Sequence, residues 1–448
     1  MDSLPRWLGW LPESLRVRIT NRPNLQRIIA STGWLFIDKV CRLGVGLLVG
    51  VWVARYLGPE QFGAFNYAIA IVGIFTAVGT LGLNGIVVRD LVRNPSSADV
   101  TLGTAFYLQI LGGFCALLLA LSLVAYTKPE DSLASLMVAV FGSVMVLKAT
   151  DVVKYWFESK VHSKSIVIVE NGAFLFFSMV RVVLVLTKAP LMAFVWITLA
   201  EGVLVAAGLM AIYSFHGYKI RNWEWQLKRA KALVSDSWPL VLSGLAVMVY
   251  MRIDQVMLGQ MLGDKEVGVF SAAVRISEAF YFVPMMIVTS VFPAIIDAKE
   301  RSDQLYKKRL KNLFELMIVL ALGFALPISL MSEWIVSILY GAAFSDAAQV
   351  LAVQVWAGVF VFSGVASSRW FLIEGLQKYS FYRTLAGAII NVVLNFIFIP
   401  KFGVSGAAWA TLGSQAVASV LFNLSNSKTR PIFYMQIKAI FGISFFQK

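Results

Sequence analysis

Apolar residues in this chain run in long blocks separated by short polar connections, without the alternation of half-buried strands. The blocks fall at roughly 34–56, 64–88, 102–126, 133–156, 165–187, 190–214, 238–262, 267–295, 310–332, 348–372, 380–400 and 404–424. About 20 apolar residues at 1.5 Å each cross a hydrocarbon layer about 30 Å thick. The pattern predicts an all-α polytopic membrane protein with about 12 complete spans. A further apolar stretch, Ile432–Phe446, contains Lys438 and is short for a crossing. It fits either an interfacial helix or a last span.

Composition agrees: 58% of the 448 residues are hydrophobic and 14% charged, against about 25% charged in soluble domains. The net charge of +14 does not imply a nucleic-acid partner, because the basic residues cluster in alternate connections. With the N-terminus inside, the outer connections hold only Arg55, Lys128, Lys188, Lys265 and Lys401, and the inner ones hold most of the rest. That asymmetry places both ends in the cytoplasm and requires an even number of complete crossings. Cys41 and Cys115 lie inside apolar blocks and imply no disulfide framework. No cleavable secretory leader is expected. The inner connection His216–Asp236 carries Trp223, Trp225 and Leu227 among basic residues, which suggests an amphipathic surface helix. Anionic phospholipid is an expected partner there, at about 1 kcal/mol per basic residue near the surface.

The chain also contains a partial copy of itself. Leu57-Gly58-Pro59-Glu60-Gln61-Phe62-Gly63-Ala64-Phe65 joins the first two spans, and Leu262-Gly263-Asp264-Lys265-Glu266-Val267-Gly268-Val269-Phe270 joins the seventh and eighth. A weaker echo pairs Trp156-Phe157 with Trp370-Phe371. Six spans separate the copies, so orientation is preserved and the repeats are parallel. The expected organisation is a cytoplasmic arm (1–30), a six-helix lobe (31–215), a linker (216–236), a second six-helix lobe (237–425) and a cytoplasmic or interfacial tail (426–448). Two such lobes enclose a space suited to alternating access.

Ionisable residues inside the spans sharpen the picture, since each is unfavourable by about 2.5–3.5 kcal/mol near a helix centre. Span one carries Asp38, Lys39 and Arg42; span four carries Lys148, Asp151 and Lys154. Span seven has Arg252 and Asp254, which cannot share one helical face, and span eight has Arg275 and Glu278. Lys39, Arg42, Arg252 and Arg275 are candidates for a solvated cavity. Asp38, Asp151, Asp254 and Glu278 are open to local pairing or to ion and substrate contact. Arg181 and Lys154 read as snorkelling or structurally paired. A cationic cavity favours anionic cargo, because Arg and Lys give charge-assisted hydrogen bonds to phosphate. No catalytic constellation, metal-ligand spacing or G-x-x-x-x-G-K-[ST] loop is present, so neither an enzyme nor self-powered nucleotide hydrolysis is expected.

Trp34, Ala54-Arg55-Tyr56-Leu57-Gly58-Pro59-Glu60-Gln61-Phe62-Gly63, Leu81-Gly82-Leu83 and Arg89 together resemble bacterial polysaccharide biosynthesis flippases, the lipid-linked O-unit exporters. Asp254-Gln255-Val256-Met257-Leu258-Gly259, Gly268-Val269-Phe270 and Phe402-Gly403-Val404-Ser405-Gly406-Ala407-Ala408 extend the likeness over roughly residues 28–425. The resemblance implies the multidrug/oligosaccharidyl-lipid/polysaccharide exporter superfamily, a MATE-like two-lobe fold and the bacterial cytoplasmic membrane. It implies flipping of undecaprenyl-pyrophosphate-linked oligosaccharide repeat units from inner to outer leaflet. Cavity roles then fall to Lys39, Arg42, Lys148, Arg252 and Arg275. No cofactor is implied, although coupling to a proton or sodium gradient through a carboxylate such as Asp38 or Asp254 is compatible. The transport unit is expected to be a monomer, with a polysaccharide polymerase and chain-length machinery as pathway partners. Alternatives are a multidrug or toxin exporter, a lipid II flippase and, in another class, a membrane glycan polymerase. The tail departs from relatives that carry two further spans.

Overall fold

The computed structural model describes residues 23–160 and 164–441, with side chains from Arg42 onward. Among the described residues there are helices and turns but no strand. The first half comprises α1 (Pro23–Ile74), α2 (Thr76–Thr80), α3 (Asn84–Arg93), α4 (Ala98–Thr127), α5 (Ser132–Leu147), α6 (Val152–Ser159), α7 (Lys164–Leu186) and α8 (Leu191–Phe215). The second comprises α9 (Leu227–Met261), α10 (Asp264–Glu278), α11 (Phe282–Arg301), α12 (Asp303–Leu330), α13 (Ser332–Tyr340), α14 (Ala347–Gln354), α15 (Ala357–Ile373), α16 (Gln377–Phe402), α17 (Val404–Ser419) and α18 (Arg430–Ile440). Nine helical segments of the described chain are long and apolar enough to cross a membrane, or ten when the pair Arg42–Ile74 and Thr76–Arg93, bent by 44°, counts as one. The last expected span coincides with the 16-residue α17, which is not among these segments and is followed by a short turn. The protein is thus a multi-pass membrane protein. It divides into two compact units, residues 1–49 and 50–448, and the geometry that follows concerns the second.

The internal repeat is visible in the backbone. Within α1, Gly58 has φ 70° and ψ 171°, and its counterpart Gly263 has φ 109° and ψ 179°. That region is accessible essentially only to glycine, so both copies turn between spans by the same device. The span after each turn then breaks at a corresponding point, at Phe75 in one copy and just after Glu278 in the other. The two turns also touch. A Cβ on Gly63 would collide with the Asp264 carbonyl, and one on Gly268 would collide with the Pro59 carbonyl. Gly63 corresponds to Gly268 in the repeat, and Pro59 to Asp264. Each copy therefore makes on the other the contact that it receives, as a two-fold relation requires.

Packing separates into two lobes. From Gly50 to Phe215, α4 packs on α5 and α2, α7 on α8, α5 on α8 and α3 on α6. In the second half α16 packs on α17 and α9, α12 on α15 and α11, and α10 on α14. The long α9 also crosses to α2, α3 and α4. The connection expected to hold an amphipathic helix is built differently. Residues Ile220–Asn222 form a single 3-10 turn, and helix begins only at Leu227, continuing unbroken through Met261. Trp223 does not lie on a membrane surface: it is buried, its indole N–H donates to the Tyr213 hydroxyl at 3.1 Å, and its ring packs on Phe106. The Glu224 amide reaches the Asp99 carbonyl and the Gln226 amide reaches Thr104, which clamps the linker to the start of α4. In the tail, α18 has 11 residues; its buried Gln436 bonds Ser363 and Asn423. The final residues of the Ile432–Phe446 stretch lie outside the described part.

Candidate functional site

Two arginines and a glutamate converge where the lobes face each other. Arg275 projects from α10 onto α1, where a Cβ on Gly50 would overlap its guanidinium, and it lies 5.5 Å from the centre of the Phe62 ring. Arg252 projects from α9 against Gly73, whose absent Cβ would sit 3.6 Å from the arginine stem. Glycine at 50 and 73 thus leaves room on the first lobe for cations carried by the second. Glu278 ends α10 at the break of that span, within electrostatic range of both arginines. Arg181 of the first lobe is within range of Arg275 as well. Arg252, Arg275 and Glu278 are half-buried, and none makes an ion pair among the described residues. The i,i+3 pairing that Arg275 and Glu278 could make is not formed. Two arginines without ion pairs thus stand near Glu278, with the buried Asp254 also within electrostatic range of that carboxylate, and water-poor surroundings lengthen the reach of these charges.

The other intramembrane charges are mostly satisfied. Lys154 binds Asp151 at 2.9 Å and Glu170 at 2.5 Å, so Asp151 is a structural partner. Arg181 binds Glu201 at 2.6 Å. Lys148 lies half-buried in the 3-10 break between α5 and α6, with no ion pair among the described residues. Arg42 is exposed on α1 in the first unit, and the side chains of Asp38 and Lys39 lie outside the described residues.

Asp254 is hydrogen-bonded within its own lobe. It is buried inside the second lobe, where it accepts from Asn395 and, at 2.7 Å, from Thr411. The Asn395 amide also donates to the Asn391 oxygen, and Asn391 donates to Ser414, both at 3.3 Å. The Asn395 oxygen is buried without a donor. The neighbours thus present N–H and O–H donors to the carboxylate, and the Asn395 oxygen beside it remains as a spare acceptor, an arrangement with the chemistry to take up a proton. Sequence reading singled out Asp254 but missed its partners. Asn391 and Asn395, four apart in an apolar span, were the available signal.

At the end that carries the repeat turns, the lobes are latched. Lys128 binds Asp264 at 2.6 Å and lies 4.5 Å above the Tyr67 ring. The Tyr67 hydroxyl accepts from Gln260 at 2.8 Å and donates to Thr127 at 3.0 Å. Arg55 donates to the Ile338 carbonyl at 3.3 Å.

Comparison with known proteins agrees with this architecture. Residues 28–299 match the family model described as polysaccharide biosynthesis protein, and residues 239–397 match the MatE model. The chain is 26% identical to a probable flippase, AglR, of Haloferax volcanii, over 89% of this chain and 83% of that one. It is 22% identical to a putative O-antigen transporter of Shigella flexneri, over 80% of this chain and 87% of that one. In three dimensions it resembles an inward-facing multidrug-resistance MATE transporter of the MOP superfamily, with TM-score 0.71, 15% identity, and 91% and 96% of the two chains covered. It also resembles the lipid II flippase MurJ in an inward closed conformation, with TM-score 0.68, 16% identity and 92% of each chain covered.

Proposed function

We propose, from the premise that this chain belongs to the polysaccharide biosynthesis protein family, that it flips lipid-linked oligosaccharides across the membrane by alternating access. The observation that carries the reading is the pair Arg252 and Arg275, left without ion pairs where the lobes face each other. A pyrophosphate leaving headgroup water needs several strong donors, and guanidinium groups supply paired N–H groups that match its oxygens. The names of the relatives support a glycan-pathway cargo, and the two arginines without ion pairs support an anionic one. Undecaprenyl pyrophosphate satisfies both: its headgroup and sugars occupy the cleft while the polyprenyl tail stays in lipid. Passage runs from the cytoplasmic to the outer leaflet; the distribution of Lys and Arg supports an N-terminus inside. The latch around Lys128, Asp264 and Tyr67 closes the outer end, and rocking of the lobes opens it. A proton or sodium ion on Asp254 couples the cycle to a gradient, since binding there alters the charge at the core of one lobe.

The test is reconstitution in liposomes with undecaprenyl-pyrophosphate-linked oligosaccharide, scoring glycosidase access to the headgroup from each side. Protein-dependent exposure of glycan on the far leaflet is expected. Export of organic cations without movement of the glycan would instead favour multidrug transport.

A further inference from the structure

One contact between the lobes sets a ring of the first against a charge of the second. Phe62 follows the Gly58 turn and stands next to Gly63, where the two repeat turns touch. Its side chain is buried, and its ring contacts belong to the second lobe. The ring meets Phe344 edge-on, with centroids 6.1 Å apart, and Phe344 in turn packs on Tyr340 at 5.3 Å. The Arg275 guanidinium lies over the same ring, 5.5 Å from its centre. Side chains on a helix lean toward its N-terminus, and α10 begins at Asp264, within the latched end. Arg275 therefore leans back toward the repeat turns, through the room that Gly50 leaves.

The fold itself does not call for this pair. In the repeat, Phe62 corresponds to Val267 and Arg275 to Ala70, and both of those are fully buried apolar residues. The related place is thus packed without ring or charge. Here a guanidinium with no ion pair and no hydrogen bond among the described residues rests over an aromatic ring instead. The negative face of the ring attracts such a cation, by about 0.5–2 kcal/mol. That attraction depends on the net charge of the guanidinium. An anion bound at its N–H edges neutralises the charge and is itself repelled by the ring face, so it weakens the stack.

We propose, on the reading that Arg275 receives cargo phosphate, that the Phe62–Arg275 stack is the contact through which cargo opens the latched end. With no anion engaged, Arg275 holds Phe62, and with it the turn from Gly58 to Gly63, against the second lobe. A pyrophosphate that engages the guanidinium releases the ring. The remaining closure is then the ion pair of Lys128 with Asp264 and the bond from Arg55 to the Ile338 carbonyl, with their neighbours. Coupling of this kind is reciprocal: by whatever factor phosphate favours the open end, the open end favours phosphate. Loading thus precedes opening, and the unloaded protein stays latched.

The experiment uses the full chain in lipid nanodiscs, with Cys41 and Cys115 replaced and spin labels at Glu130→Cys and Glu333→Cys. Farnesyl pyrophosphate is the probe, and neutral farnesol is its control. Farnesyl pyrophosphate should lengthen the distance between the labels in the parent, and farnesol should not. Without probe, Phe62→Leu and Arg275→Gln should each raise the ratio of open to latched protein by about 2- to 30-fold, as loss of a cation–π contact predicts. The double variant should add little to either. Phe62→Tyr keeps a ring and should keep both the closure and the response to probe. Phe62→Leu should also bind farnesyl pyrophosphate more tightly, because the ring no longer competes for Arg275. A ring that merely packed would leave that affinity unchanged or lower it. Unchanged distances in a folded Phe62→Leu or Arg275→Gln protein would overturn the proposal, as would a parent that binds farnesyl pyrophosphate without opening. The variant arms need no cargo, which separates the stack from the phosphate reading. A parent that does not bind farnesyl pyrophosphate, with both variants open, would sink that reading and the trigger with it, but not the closing stack.

Discussion

Alanine at Gly63 or Gly268 should open the latched end of the molecule. On Gly63 the added Cβ would lie 2.6 Å from the Asp264 carbonyl carbon and 2.8 Å from the Gly268 nitrogen. On Gly268 it would lie 2.8 Å from the Pro59 carbonyl carbon and 3.1 Å from the Gly63 nitrogen. Ordinary contact begins at 3.4 Å, and the obstacles are backbone atoms, which cannot rotate aside. The two turns must therefore separate. Overpacking of this kind costs about 1–3 kcal/mol. Where the two lobes exchange between latched and open states, that penalty shifts their ratio by about 5- to 150-fold toward the open one. Spin labels at Glu130→Cys and Glu333→Cys, with Cys41 and Cys115 replaced, would report the change by double electron–electron resonance. Each alanine should move population to the longer distance. Because the contact is reciprocal, the double variant should add little to either single one. Gly172→Ala, which meets nothing within 4 Å, should leave the distances unchanged. A folded Gly63→Ala protein with the parent distance distribution would refute the reasoning.

Two further outcomes follow from the packing and the buried network. Trp223→Ala should destabilise the first lobe by about 3–5 kcal/mol, seen as a lower Tm. Trp225→Ala, at an exposed position, should leave Tm nearly unchanged. Asp254→Asn keeps the shape of the side chain but removes its charge, so transport should lose its dependence on a proton or sodium gradient while abundance stays near normal. Gradient-stimulated transport in that variant would exclude Asp254 as the coupling group.

Much of the fold was legible because membrane crossing imposes length and polarity on the chain directly. The repeat was legible for a more local reason: Gly58 and Gly263 occupy a backbone region closed to other residues, and Gly63 and Gly268 sit where no Cβ fits. Steric necessity of that kind leaves a mark in the sequence. Pairing does not. Arg181 and Glu201 stand on consecutive spans, but only the packing of α7 on α8 joins them. Lys154 likewise finds Glu170 from a neighbouring helix. The partners of Asp254 are neutral residues from α16 and α17, which resemble the ordinary polar glue of membrane helices. Trp223 shows the opposite error: an aromatic residue among basic neighbours suggests an interface, whereas the chain turns it into a core.

The central claim is that Arg252 and Arg275 receive the phosphates of a lipid-linked glycan between the lobes. Its most direct test is the flipping rate of the Arg252→Gln/Arg275→Gln double variant in liposomes, compared with the parent at matched protein abundance. Flipping should fall by about two orders of magnitude or more, as loss of two charge-assisted contacts predicts, with insertion and Tm near those of the parent. Arg275→Lys should retain part of the rate if charge dominates and lose it if paired N–H geometry is required. Flipping at the parent rate by the folded double variant would contradict the account.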